Sequence, residues 1–424
     1  MSTVRIMPSG AAGTVTAPPS KSMAHRALIC AALAPGESRI EGIAMPEDLQ
    51  ATVSALRSLG ARIDFDENEG TAFVRGIDFS TPPESGVIDC GESGSTLRFV
   101  IPLCLLRGCR MTLTGSRRLF ERPLDGYEEV FMRDGIRCRK TDRSLELEGK
   151  LAGGDYTVRG DLSSQFTTGL LLALPMTGED GTVTVTGKMQ SRPYVRMTVE
   201  MQKKFGVETE ISLSRNGILT YAVRRDSSYK STDYRVEGDW TNAAYLDLLN
   251  AAGGSLAVNG LQEDSLQGDR IYKEYFDRIR RYEPGRGMEA DPSQTVGMPV
   301  LDISDCPDLG PALIAAAALC HGAVLTGTAR LAVKESDRGR AMAEELAKCG
   351  IGVCLREDSI IVPDASLKTP SRTLCGHNDH RIVMALAAVC AVTGGAIEGA
   401  EAVKKSFPDY FEKIGKAGIV FQKE

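Results

Sequence analysis

Val53-Ser54-Ala55-Leu56-Arg57-Ser58-Leu59-Gly60-Ala61-Arg62-Ile63 reads as an amphipathic helix, a glycine stop and the start of a strand. Glycine is the expected stop because it accepts the left-handed conformation that ends a helix. The pattern returns at 130–136, 199–207, 346–351 and 411–419, with its glycine at Gly135, Gly206, Gly350 and Gly418. Successive glycines lie roughly 70 residues apart, except for one interval twice as long. A degenerate copy belongs in that interval, near 276–285. Six mixed strand-and-helix repeats then nearly fill the chain, each too large for a solenoid repeat. The polar stretch 225–234 has few apolar residues and reads as a linker between two pseudo-equivalent halves. An interdomain cleft is the expected site.

A chain of 424 residues has ample length for two or three domains. Its net charge of −6 argues against a nucleic-acid-holding surface. Several basic residues nevertheless sit in Gly/Ser/Pro-rich junctions, which suits a small anionic ligand better than a polyanion. The 11 cysteines are odd in number and form no C-x-x-C pair, so they read as reduced thiols in a reducing compartment. No apolar run reaches the roughly 18 residues a membrane span needs, and the first residues lack a signal-peptide core.

The charged stretch Val333-Lys334-Glu335-Ser336-Asp337-Arg338 lies between a strand-like run at 323–326 and a helix-like run at 341–348. Strand-to-helix junctions are where α/β proteins place chemistry. Lys334 beside Glu335 offers a charge partner and a proton-transfer group, and Arg338 offers a fork for carboxylate or phosphate. A solvated, salt-bridged helix start is the plainer reading of this stretch alone.

Similar junctions recur. Pro18-Pro19-Ser20-Lys21-Ser22 leads into a helix whose first turns carry Lys21, Ser22 and Arg26, where free N–H groups favour an anion. His25 there reads as structural. Cys90-Gly91-Glu92-Ser93-Gly94-Ser95 is a weak anion-cradle signal before an apolar helix at 97–106. Arg122 before Pro123 is held extended. Ser163-Ser164-Gln165 precedes an apolar helix at 167–174, and Ser191 to Tyr194 opens one at 195–205. Asp308 precedes an apolar helix at 312–320, where it could be only an N-terminal helix charge. His377 and His380 lack further ligands at convincing spacing, so no metal is expected.

Seven of these stretches occur in one order: Pro19 to Arg26, Glu92 to Arg98, Glu121-Arg122-Pro123, Ser163-Ser164-Gln165, Lys334 to Arg338, Asn378-Asp379-His380-Arg381 and Lys405 to Tyr410. Together they closely resemble the 5-enolpyruvylshikimate-3-phosphate synthase family, over nearly the whole chain. The resemblance implies an α/β, two-domain enolpyruvyl-transferase fold (an inside-out α/β barrel) of six βαβαββ-type repeats, three per domain. It implies that residues 1–19 join 235–424 in one domain, that 20–234 form the other, and that the substrate cleft lies between them.

The implied reaction moves the enolpyruvyl group of phosphoenolpyruvate to the 5-hydroxyl of shikimate 3-phosphate, with no metal or cofactor. Asp308 would take the hydroxyl proton, Glu335 would handle the proton at C3, and Lys21 would lie near both substrates. Lys21, Ser22, Arg26, Ser163, Ser164, Gln165, Ser191, Asp308 and Lys334 would hold shikimate 3-phosphate. Lys21, Gly94, Arg122, Gln165, Arg338, Arg381 and Lys405 would hold phosphoenolpyruvate. An acid role for Glu335 needs its pKa raised by a closed site. The resemblance further implies a cytoplasmic monomer, with no nucleic-acid or membrane partner, inhibited by glyphosate in competition with phosphoenolpyruvate. Ser95, Phe99 and Arg330 depart from the frequent Thr, Pro and Asn of the family. A sister enzyme acting on UDP-N-acetylglucosamine would carry Lys-Asn where this chain has Lys21-Ser22. A non-catalytic anion-binding module is argued against by the intact Lys21, Asp308, Glu335 and Arg338.

Overall fold

The computed structural model describes residues 2–80, 86–133, 135–283 and 297–424. Two compact domains emerge. One is continuous, Pro19–Glu237; the other is discontinuous, joining Met1–Pro18 to Gly238–Glu424. The degenerate repeat expected at 276–285 ends in residues outside those described.

The continuous domain holds three four-stranded sheets. One is built from Gly86–Asp89, Met111–Thr114, Arg137–Lys140 and Ser144–Glu148. Its first two strands pair parallel, and the other pairings are antiparallel. Helix Gly94–Cys104 connects the parallel pair, and helix Asp125–Arg133 leads to the edge strand. Gly154–Val223 repeats this plan. The remaining sheet takes its parallel strand from the far end of the domain, where Tyr234 and Arg235 pair with Ile40 and Glu41.

The discontinuous domain follows the same plan with the chain order rotated. The sheet of Leu374–Cys375, Gly395–Glu398 and Phe421–Lys423 is completed by Thr3–Ile6. Strand Ala12–Thr16 pairs parallel with Ser255–Asn259. A third sheet is formed by Val300–Asp302, Ala323–Thr326, Ser359–Val362 and Cys354–Leu355.

Each glycine of the sequence repeat ends its helix as expected. Gly60, Gly135, Gly206, Gly350 and Gly418 all have φ between +69° and +110°. The other helix of each repeat is apolar on every side and therefore buried. Helices Lys21–Leu33, Gly94–Cys104 and Ser164–Ala173 lie in the core of one domain; Trp240–Ala251, Gly310–Leu319 and His380–Thr393 lie in that of the other. Those starting at Gly94, Ser164 and Gly310 begin two or three residues before the apolar run that marks them in the sequence. In the first two the opening turn is made of the polar motif itself.

The stretch 225–234 is not a linker. Tyr229 is 1% exposed, and its hydroxyl donates to the Leu172 carbonyl at 2.9 Å while accepting from Gln202 Nε2 at 3.1 Å. This aromatic anchor, the Lys230 amide on the Phe205 carbonyl and the Thr232 amide on Ser38 Oγ tie the polar segment to the continuous domain. The chain passes between domains at Pro18/Pro19 and Glu237/Gly238 instead. No helix among the described residues is long and apolar enough to cross a membrane.

Candidate active site

In the continuous domain most of the motif residues sit at helix starts, whereas Arg122 is the C-cap of the short helix Arg117–Glu121. Ser20, Ser93 and Ser163 are N-caps whose hydroxyls accept the amides of Met23, Thr96 and Gln165. Such caps satisfy one orphan donor and leave others at the helix end facing outward. Lys21 occupies the first helical position and pairs with Asp48 at 2.5 Å, each side chain under 15% exposed. Gln165 bridges two helix starts: its Oε1 accepts from Arg98 at 2.9 Å and its Nε2 donates to Ser95 at 3.0 Å. Ser164 is buried beside it. Arg122 is also buried, with its guanidinium against Gly94.

Arg26 is almost wholly buried, and burial pushes its pKa down to about 10. Its guanidinium donates to Thr198 Oγ1 at 2.8 Å and to the carbonyls of Ser22 and Tyr194 at 2.7 and 2.9 Å. Arg26 therefore fastens the start of its own helix to helix Arg192–Lys204. Ser191, at the entry to that helix, has φ +56°. Residues other than glycine rarely adopt this conformation. His25 faces Thr52 at 2.8 Å in the core, in keeping with a structural role.

In the discontinuous domain Arg338 is the hub. Its Nη1 donates to Asp308 at 2.7 Å, its Nη2 to Glu335 at 2.7 Å, and its Nε to Asp379 at 2.9 Å. These neighbours raise its pKa well above the ordinary arginine value against the cost of burial. Lys334 reaches Asp308 at 3.1 Å. Burial alone would push the Asp308 carboxyl up, but Lys334, Arg338 and Arg381 outweigh it and hold it well below the usual range. Burial lowers Lys334 to about 8, with Asp308 opposing and Arg330 and Arg338 assisting. Arg381 donates to Asn242 at 2.9 Å and lies over the Tyr245 ring. Lys405 donates to the Asn378 carbonyl at 2.5 Å.

Each domain thus gathers its own predicted set, Lys21, Ser22, Gly94, Arg122, Ser163 and Gln165 in one, Asp308, Lys334, Glu335, Arg338, Arg381 and Lys405 in the other. Cations at helix N-termini bind phosphates and carboxylates, and carboxylates held ionised by a guanidinium can accept protons. Sequence reasoning missed Asp48, Arg98, Asn242 and Asp379 as partners. Arg98 and Asp379 lay inside quoted motifs; Asp48 and Asn242 are brought in only by tertiary packing. His377 turns toward Glu345, with Nε2 at 2.9 Å from its Oε1.

Fold and site together define an α/β protein with a cluster of buried cations in each domain. The family profile described as EPSP synthase (3-phosphoshikimate 1-carboxyvinyltransferase) matches residues 7–414, and the chain belongs to this family. It is similar to the 3-phosphoshikimate 1-carboxyvinyltransferase of Clostridium kluyveri, with 41% identity over 99% of this chain and 98% of that protein. It is 37% identical to that of Clostridium novyi, over 99% and 98% of the two chains. A solved EPSP synthase from Acinetobacter baumannii shares the fold, with a TM-score of 0.75 at 23% identity over the full length of both chains.

Proposed function

We propose that this chain transfers the enolpyruvyl group of phosphoenolpyruvate to the 5-hydroxyl of shikimate 3-phosphate, releasing phosphate. The observation that carries this reading is the placement of Asp308 and Glu335 on the single guanidinium of Arg338, each at 2.7 Å. The reaction needs a base at the attacking hydroxyl and an acid at C3 of phosphoenolpyruvate. Asp308, held ionised by its cationic neighbours, accepts the hydroxyl proton. The oxygen bonds to C2 while C3 takes a proton through Glu335, which must be released from its ion pair with Arg338 to carry that proton. The tetrahedral adduct then loses phosphate from C2 as C3 gives a proton back, which restores the vinyl group. Lys21 completes the catalytic set.

Lys21, Ser22, Arg26, Ser163, Ser164, Gln165, Ser191, Asp308 and Lys334 bind shikimate 3-phosphate in this reading. Lys21, the Gly94 backbone, Arg122, Gln165, Arg338, Arg381 and Lys405 bind phosphoenolpyruvate. Rigid guanidinium forks suit planar carboxylates and phosphates, whereas serines and Gln165 suit ring hydroxyls. The enzyme works as a cytoplasmic monomer without metal or cofactor, and glyphosate competes with phosphoenolpyruvate.

The test is phosphate release by protein treated with EDTA. Release only when both substrates are present supports the transfer. Release from phosphoenolpyruvate alone, or none with both present, overturns it. Replacing shikimate 3-phosphate by UDP-N-acetylglucosamine in the same assay identifies the sister activity.

A further inference from the structure

Helix Arg338–Lys348 carries a second buried charge besides its first residue. Glu345 is 1% exposed and lies seven residues, about two turns, after Arg338. Its Oε2 accepts the Cys375 amide at 2.8 Å and Lys348 Nζ at 2.6 Å. Its Oε1 meets His377 Nε2 at 2.9 Å. An ionised carboxylate only accepts, so His377 donates through Nε2. Every one of these partners lies on the same helix or on the segment 375–377.

That segment is unusual. His377 and Asn378 have φ of +49° and +50°, two consecutive left-handed residues that are not glycine. With Ser191 they are the only non-glycine residues of positive φ among those described. Such conformations persist only where surrounding contacts over-determine them. The turn they make delivers the Asn378 carbonyl to Lys405 and places Asp379 as both helix cap and partner of Arg338. Ser336 also donates to Asp379, at 3.0 Å.

We infer that Glu345 is a positioning residue for the phosphoenolpyruvate side of the reaction. Glu345 and Arg338 grip the 375–379 turn from one helix, the first at Cys375 and His377, the second at Asp379. Glu345 holds the left-handed pair in place, and the pair sets the direction of Lys405 and Arg338. This inference rests on the proposed roles of Lys405 and Arg338 in binding phosphoenolpyruvate.

Two readouts separate the inference from that reading. In steady-state kinetics, Glu345→Gln raises KM for phosphoenolpyruvate about tenfold, the loss of one hydrogen bond to a charged group, and leaves KM for shikimate 3-phosphate within about twofold. His377→Gly, which loses the bond but relieves the backbone, is less damaging to KM than His377→Ala. In hydrogen exchange of the full chain, Glu345→Gln speeds exchange in peptides covering 375–379 and leaves the interior of helix His380–Thr393 protected. Unchanged exchange at 375–379 overturns the clamp, whatever the activity. Equal loss in both KM values, or His377→Gly worse than His377→Ala, overturns the positioning role. Faster exchange at 375–379 in a wild-type-like background without any enolpyruvyl transfer by the parent enzyme upholds the clamp and refutes the functional reading instead.

Discussion

Gly94 and the Arg122 guanidinium are in direct contact: a Cβ built on Gly94 would lie 2.6 Å from Arg122 Nη1 and 2.8 Å from its Cζ. A methyl group there forces the guanidinium to move. Gly94→Ala should therefore raise KM for phosphoenolpyruvate about tenfold, the scale of overpacking a well-filled site. KM for shikimate 3-phosphate should change little. Steady-state kinetics with each substrate varied in turn checks this, and equal shifts in both would contradict it.

Lys334, lowered to about 8, loses its charge at mildly alkaline pH. The protonated form is the one that binds an anion, so kcat/KM for shikimate 3-phosphate should fall as pH rises through about 8. Lys334→Arg keeps its charge throughout and should remove that limb from the pH profile. Asp308 raises the pKa of Lys334, so Asp308→Asn should move the limb to lower pH, measured on whatever residual turnover remains. That variant should also lose roughly 10²–10⁴-fold in kcat, the usual contribution of a general base.

Asp379 is fully buried and holds Arg338, Ser336 and the Arg381 amide at once. Asp379→Ala should cost about 3–5 kcal/mol, because it leaves a buried arginine less compensated and removes a helix cap. Chemical denaturation with the midpoint and slope both measured would detect it. A loss below about 1 kcal/mol would show that Asp308 and Glu335 suffice for Arg338.

His25 is neutral in the fold, because burial and then Lys21 and Arg26 lower its pKa well below the ordinary value. In the unfolded chain it takes a proton near pH 6.5. The unfolded state therefore binds more protons below that pH, and stability drains away progressively as the pH falls from about 6.5 toward the folded pKa. Above about 6.5 this group contributes no slope. His25→Gln should flatten Tm against pH between roughly 5 and 6.5, even if the absolute Tm is lower.

The repeats were legible because a glycine stop is a local signal. The torsions of Gly60, Gly135, Gly206, Gly350 and Gly418 follow from the helix ends alone. Helix starts were less so: a capping serine or aspartate looks like a loop until its hydroxyl or carboxylate is seen to accept an amide, as Ser93 and Asp379 do. The motif cations were readable as candidate anion ligands, but their fixed partners were not. Asp48 meets Lys21 only because helix Glu47–Ser58 packs beside helix Lys21–Leu33, and no spacing announces it. The segment 225–234 misled through composition, since a buried tyrosine and backbone hydrogen bonds hold it in place despite its many polar side chains.

The borrowed strand at the N-terminus has a consequence for biosynthesis. Among the described residues Thr3–Ile6 pairs with Gly395–Glu398 and Phe421–Lys423, so its partners leave the ribosome long after it. Residues Pro19–Glu237 are contiguous and are free to fold during that interval, on the order of tens of seconds. The first strand meanwhile waits with its backbone unpaired, an edge open to wrong partners. Closing its sheet is a contact of very long range in sequence, and such contacts are slow to form. The continuous domain is thus synthesised whole before strand Thr3–Ile6 can meet its partners.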